Sequence, residues 1–170
     1  EVLFSETAGT APIREDRVLH FKCDLIYEEK SGIWSLEHKT TGRGGASWKN
    51  KWGLKFQTNC YIHALHCLFE PSDVAGLKIN GAILRKSGNN EFIRLPQKKT
   101  LDQIQLWLQE ANHWIDMLEW NMEALRRTKA SDRVMFAFPR NPASCTKFGC
   151  SFDGLCEHWS NPLQKCQDPP

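Results

Sequence analysis

The chain has 170 residues, 41% of them apolar and 25% charged, with a formal net charge of +2. That is enough length for one domain with its own core, and the balance belongs to an ordinary globular protein rather than a disordered or fibrous one. The near-neutral charge excludes the overall basicity that would by itself announce a nucleic-acid partner, and no apolar run approaches the ~20 residues of a membrane span.

The chain opens at "EVLF", which reads as the inside of a strand, so an upstream segment is expected; no signal peptide is visible. Strands are predicted over about 1–5, 17–27 and 33–39. The second, "RVLHFKCDLIY", alternates, with His20, Lys22, Asp24 and Ile26 on one face and Phe21, Cys23, Leu25 and Tyr27 on the other. "EEKSG" turns it into the third strand as a hairpin. "TTGRGGAS" is glycine-rich but lacks P-loop spacing and reads as a flexible loop. A helix follows over about 48–69, with Gln57, Cys60, Tyr61, Ala64, Leu65 and Leu68 in one stripe. "VAGLKINGAILRK" and "NEFIRLP" pair across "SGNN". Thr100 is the N-cap of a long helix to about residue 128, with Trp107, Ala111, Trp114, Leu118 and Leu125 as its buried stripe and Trp120 beside it. "VMFAFP" is a further short strand or extended segment, and a cysteine-bearing tail ends the chain. The order β-β-β-α-β-β-α argues for an α/β (α+β) domain.

Asp24 stands mid-strand among apolar neighbours, where aspartate is disfavoured by propensity and by burial. If the hairpin pairs its strands, Glu37 converges on it at one end of the sheet, and alternation puts Lys39 on the face of Glu37. Two carboxylates held together repel unless a cation lies between them. Oxygen ligands select Mg²⁺ or Mn²⁺, and a lysine beside them would orient water or stabilise charge on a phosphate. Alone, the same residues also fit a solvent-facing Glu–Lys pair.

Asp24, then Glu37-His38-Lys39, then Gln57 and Tyr61 one helical turn apart, in that order and spacing, resemble the PD-(D/E)XK nuclease superfamily. The similarity is to its RecB-like branch, which includes the nuclease domains of RecB and AddB and the CRISPR-associated exonucleases. "KCDLIYEE", "WSLEHKTTG", "YIHAL", "INGAILRK" and "FPRNPASCTKFGCSFDGLC" extend the resemblance over nearly the whole chain. It implies a restriction-endonuclease-like core, a central mixed sheet flanked by helices, over residues 1–140, with a Cys-rich tail over 141–170 packed on the same domain. It implies metal ligation by Asp24 and Glu37, with the Leu36 carbonyl as a further ligand, assistance to the attacking water by Lys39, and shaping of the site and DNA contact by Gln57 and Tyr61. The function implied is metal-dependent DNA hydrolysis in processing, recombination or repair, in a cellular or a phage-encoded protein, alongside a helicase or another recombination or replication protein. The upstream helix with a His and a Cys that the branch usually carries has no counterpart here. That leaves a nuclease fold without turnover, a DNA-binding or assembly module, as the alternative.

Seven cysteines are unevenly placed. Cys23, Cys60 and Cys67 sit at apolar positions and read as small core residues. Cys145, Cys150, Cys156 and Cys166 crowd the last 26 residues, which suits a metal site in a reducing, cytoplasmic setting better than a disulfide framework. The four suggest a Cys₄ site; the paired C-x2-C knuckles typical of structural zinc are lacking, which makes zinc the weaker alternative, and the resemblance implies a [4Fe–4S] cluster. His38 should face away from Glu37 and Lys39, and His63, His66, His113 and His158 lack metal-pair spacing. Arg43, Lys49, Lys51 and Lys55 form a local basic cluster, with Lys49, Lys51 and Lys55 the candidates for nucleic-acid contact, and Trp48 and Trp52 beside them could stack on unpaired bases.

Overall fold

A computed structural model describes residues 1–140 and 149–165 of the chain. They fall into two compact units, Glu1–Asn112 and His113–Pro170.

The first unit is built on a five-stranded mixed sheet in the order β1-β2-β3-β4-β5. Its strands are β1 (Val2–Arg14), β2 (Arg17–Glu29), β3 (Gly32–Thr41), β4 (Val74–Ile83) and β5 (Glu91–Gln97). Neighbours run antiparallel except β3 and β4, which are parallel with Glu37 beside Ile79 and Lys39 beside Gly81. A parallel pair needs a crossover, and α1 (Ala46–Asn50), a 3₁₀ turn (Lys51–Leu54) and α2 (Phe56–Leu68) supply it. The element order is the one expected from the sequence. The hairpin also forms as read, pairing Glu29 with Gly32 and Leu25 with Leu36.

β1 is far longer than the five residues expected. Gly9 and Pro12 suggest an early end, but β1 is an edge strand, where proline is tolerated. At Gly9 a Cβ would stand 2.9 Å from the tip of the Phe21 ring, so the glycine makes room for a core side chain. Nor does β2 keep strict alternation. Phe21 and Cys23 are buried, then Ile26, so the inward set changes parity between Cys23 and Ile26. The change falls where Glu6, across on β1 between Ser5 (paired with Leu25) and Thr7 (paired with Cys23), has φ 50°. Asp24 is left half-buried at that irregularity.

The single helix expected over 48–69 is broken in two. Lys55 is extended at φ −70°, ψ 135°, and caps α2. The break is held at the carbonyl of Trp52, which accepts the Lys55 amide at 3.2 Å and the Thr58 hydroxyl at 2.8 Å. Cys60, Tyr61, Ala64 and Leu65 are buried as the stripe requires, Gln57 is half-buried, and Leu68, the last of the expected stripe, is exposed. Cys67, read as core, is exposed instead, two positions past the buried stretch that ends at Leu65.

α3 (Leu101–Arg127) begins in a capping box: Thr100 Oγ1 accepts from the Gln103 amide at 3.2 Å, and Gln103 Oε1 from the Thr100 amide at 3.0 Å. Its first turns bury Ile104, Trp107 and Ala111, with the Trp107 ring against Phe56 and His63. Farther on the stripe goes uncovered: Trp114 is 66% exposed, Leu118 53% and Trp120 60%. An apolar period shows which face of a helix is greasy, not whether anything lies against it.

In the second unit the segment after α3 makes no strand at "VMFAFP"; it is irregular, bending at Ala137 and Phe138, where Phe138 has φ 52°, and its Met135 amide donates to the Ser160 carbonyl at 3.0 Å. Asn161, fully buried, donates to the carbonyls of Lys129 and Asp132 and accepts from the Leu163 amide. A short helix, α4 (Asp153–His158), precedes it. No helix among the described residues is long and apolar enough to cross a membrane.

Candidate active site

Glu37 lies on the central strand, flanked by β2 and β4, and only 5% of it is exposed. Burying a carboxylate in a sheet is costly unless its oxygens find donors. One oxygen does. Glu37 Oε1 accepts from the Lys39 ammonium, two residues along the same face, and from Gln57 Nε2 at 2.9 Å. The other does not: Oε2 is buried with no hydrogen-bond partner among the described residues.

Gln57 stands in the first turn of α2, so the break at Lys55 sets its height above the sheet. Its Nε2 lies 3.0 Å from the Tyr61 hydroxyl, one turn on, and that hydroxyl donates to the Lys22 carbonyl at 2.5 Å. The chain of contacts from Lys22 through Tyr61 and Gln57 to Glu37 and Lys39 thus ties β2, α2 and β3 together. Burial pushes the Tyr61 phenol up to about 12, against the opposing Gln57 bond, so it remains a neutral donor. Burial likewise raises the thiols of Cys23 to about 11 and Cys60 to about 12. Both are inert core groups behind the site, as the sequence suggested.

Asp24 is the last residue of β2 before its ladder with β3 begins at Leu25. Its Oδ2 accepts from the His38 amide at 2.8 Å, which brings the carboxylate to the peptide joining Glu37 and His38. His38 itself is exposed, with Nδ1 3.0 Å from Asn80 Nδ2. Asp24, Glu37, Lys39, Gln57 and Tyr61 are therefore brought to one end of the β2–β3 hairpin. The described residues contain no group of three or more His, Cys, Asp or Glu side chains arranged to hold a metal.

The basic cluster divides. Lys49 is neutralised by Glu91 at 2.7 Å, and Arg85 shares that carboxylate at 3.0 Å; together they hold it below the ordinary carboxylate range, Lys49 contributing first. Lys51 rides over the Trp48 and Trp52 rings. Lys55 is exposed at the α2 cap. Trp52 is 6% exposed and cannot stack on a base; it belongs to the core. In sequence, apolar residues beside cations suit a stacking platform and a buried anchor equally.

Cys150 and Cys156 are half-buried and carry no disulfide, while Cys145 and Cys166 lie outside the described residues. Glu6, which sequence reasoning passed over, stands across from Asp24 and pairs with Lys22 at 2.7 Å. Nothing in an exposed "SET" stretch signals it. Compared with protein-family models, curated proteins and solved structures, the chain gives no match.

Proposed function

We propose that the protein is a Mg²⁺- or Mn²⁺-dependent deoxyribonuclease of the PD-(D/E)XK kind, hydrolysing phosphodiester bonds in DNA processing, recombination or repair. The observation that carries this reading is Glu37: a buried carboxylate clamped on one oxygen by Lys39 and Gln57, with the second oxygen left unpartnered. A core carboxylate kept only for stability would have both oxygens satisfied. One kept for a hard cation needs a free, oriented oxygen, and Asp24 adds a second donor of the same type. Two carboxylates suit Mg²⁺, which is commonly held by one or two such groups with water and substrate phosphate completing its shell.

A bound dication would lower the pKa of a water and offset charge on the phosphate. Asp24 and Glu37 would hold it. Gln57 fixes the Glu37 rotamer, and Tyr61 fixes Gln57 in turn. Lys39, 28% exposed at its side chain, presents an ammonium to the oxyanion that forms as phosphorus becomes pentavalent. The low dielectric around Glu37 strengthens each of these contacts.

The test is cleavage of single- and double-stranded DNA with Mg²⁺, Mn²⁺ or EDTA by the wild type, Glu37→Ala and Lys39→Ala. Metal-dependent cleavage lost in both variants, with circular dichroism unchanged, is the expected result. Unchanged cleavage by both variants, or none by the wild type with either metal, would overturn it.

A further inference from the structure

Beyond Lys39 the same face of β3 ends at Thr41, and the loop that follows forms one wall of an open surface concavity of about 500 Å³. Thr41, Arg43, Gly44, Ser47, Trp48 and Lys51 line it. Its walls are fixed. A Cβ on Gly44 would fall 2.3 Å from Ile83 Cδ1, so the loop backbone is pressed against the end of β4. A Cβ on Gly81, the partner of Lys39 on β4, would fall 2.5 Å from Trp48 Cη2. Trp48 therefore packs on bare backbone beside Lys39, and the cavity adjoins the candidate active site along one strand.

The lining is one-sided in charge. It holds two cations and two hydroxyls, and no acidic side chain among the described residues. Lys49, next along the helix, has Glu91; Arg43 and Lys51 form no ion pair among the described residues. The Lys51 ammonium is held 4.6 Å from the Trp52 ring centroid and 5.6 Å from that of Trp48. Trp48 is thus occupied on three sides, by Lys51, by Gly81 and by the edge-on Trp52 ring at 5.2 Å. It serves as a platform for an ammonium, not for a base. Two cations without an ion pair among the described residues, with the Ser47 hydroxyl beside them, fit a phosphate oxyanion; the Thr41 hydroxyl is engaged with the Arg43 backbone, donating to its carbonyl at 3.2 Å and accepting from its amide at 3.1 Å, and so shapes the loop.

We infer that this cavity seats a phosphate group of the DNA strand being cut, beyond the phosphodiester at Glu37 and Lys39, with Arg43 and Lys51 as its cations. The inference rests on the nuclease reading. The group is either an internal phosphodiester or a terminal phosphomonoester.

The test is binding without cleavage: fluorescence anisotropy of labelled single-stranded oligonucleotides in EDTA over a range of salt. Arg43→Ala and Lys51→Gln should each weaken binding and reduce the slope of log affinity against log salt by about 0.7, the value of one phosphate contact on a single strand. Lys30→Gln, at the hairpin turn, should change neither. Arg43→Ala, in an exposed loop, carries the test should Lys51→Gln disturb its aromatic platform. A loss confined to oligonucleotides with a terminal phosphate assigns the monoester, and an equal loss with hydroxyl ends assigns the internal diester. Slopes unchanged in both variants, or no binding by the wild type, overturn the inference. Altered slopes without cleavage under any metal would instead sink the nuclease reading alone, and cleavage with unaltered slopes the cavity assignment alone.

Discussion

Replacing Glu37 with glutamine separates a structural carboxylate from a ligand. The amide keeps the shape of the side chain and can keep an oxygen where Gln57 and Lys39 now donate, turning its nitrogen to the position of Oε2. Two effects oppose each other in the metal-free protein. The Lys39 pair is weakened, and with that lysine 28% exposed the loss is about 0.2–1 kcal/mol. Against it, the buried negative charge is removed, but the amide nitrogen put at the Oε2 position is itself a buried donor without a partner, so the roughly 1–3 kcal/mol cost of an unsatisfied polar group stays in place. The two effects nearly cancel, so Glu37→Gln should leave the metal-free protein within about 1 kcal/mol of the wild type, a change of at most roughly 2–4 °C in Tm at this length. The metal response should separate the two proteins. At a Mn²⁺ concentration about a hundredfold above Kd the wild type should gain about 2.7 kcal/mol, and the variant nothing. Differential scanning calorimetry with EDTA and with MnCl₂ reads both. A metal-free variant destabilised by more than about 3 kcal/mol, the upper end for a lost buried partner, would mean that Glu37 is held for structure. An undiminished Mn²⁺ shift would mean that it is not a ligand; either refutes the reasoning.

Tyr61→Phe removes the hydroxyl between Gln57 and the Lys22 carbonyl, leaving both without that partner. Urea denaturation should show a loss of about 1–3 kcal/mol, and a midpoint equal to that of the wild type would mean that water replaces the phenol. Glu29 supplies a pH prediction. The Lys78 ammonium first, then the Ser31 hydroxyl, hold its carboxyl below the ordinary 4.5. A folded value below the unfolded one makes this contribution complete above 4.5 and lost as pH falls through the lowered value. NMR titration of the Glu29 side chain should show that depressed midpoint, raised toward the ordinary value in Lys78→Met while the Ser31 bond remains; no difference between the two proteins would count against the pair.

The element order and the two hairpins, β2 with β3 and β4 with β5, were legible because each rests on local signals such as the "EEKSG" turn, the period of α2 and the Thr100–Gln103 cap; the parallel pairing of β3 with β4 is non-local and was not. Juxtaposition of Asp24, Glu37, Lys39, Gln57 and Tyr61 was legible only through their combined spacing, since each pair alone is a commonplace of surfaces and cores. What the sequence hid was tertiary. Whether Trp52 is a platform or an anchor, and whether Trp114 and Trp120 are covered, depends on neighbours that periodicity does not name. The break before α2 was hidden too, because Gly53 is tolerated within a helical pattern and it is the Trp52 carbonyl that holds the turn open. The unpartnered oxygen of Glu37 is beyond any pattern; it is the balance of donors around one atom.

The parallel pairing of β3 with β4 bears on how the site comes into being. Glu37 and Lys39 share a strand, and Asp24 reaches them across a hairpin that a tight turn can close early. Gln57, twenty residues from Glu37, reaches it only when the crossover is laid on the sheet. Loop closure must precede that contact, so a partly folded chain carries the acids and the lysine without the amide that orients them. Competence of the site is tied to docking of α2, and the ability to orient Glu37 is acquired in one step with the core.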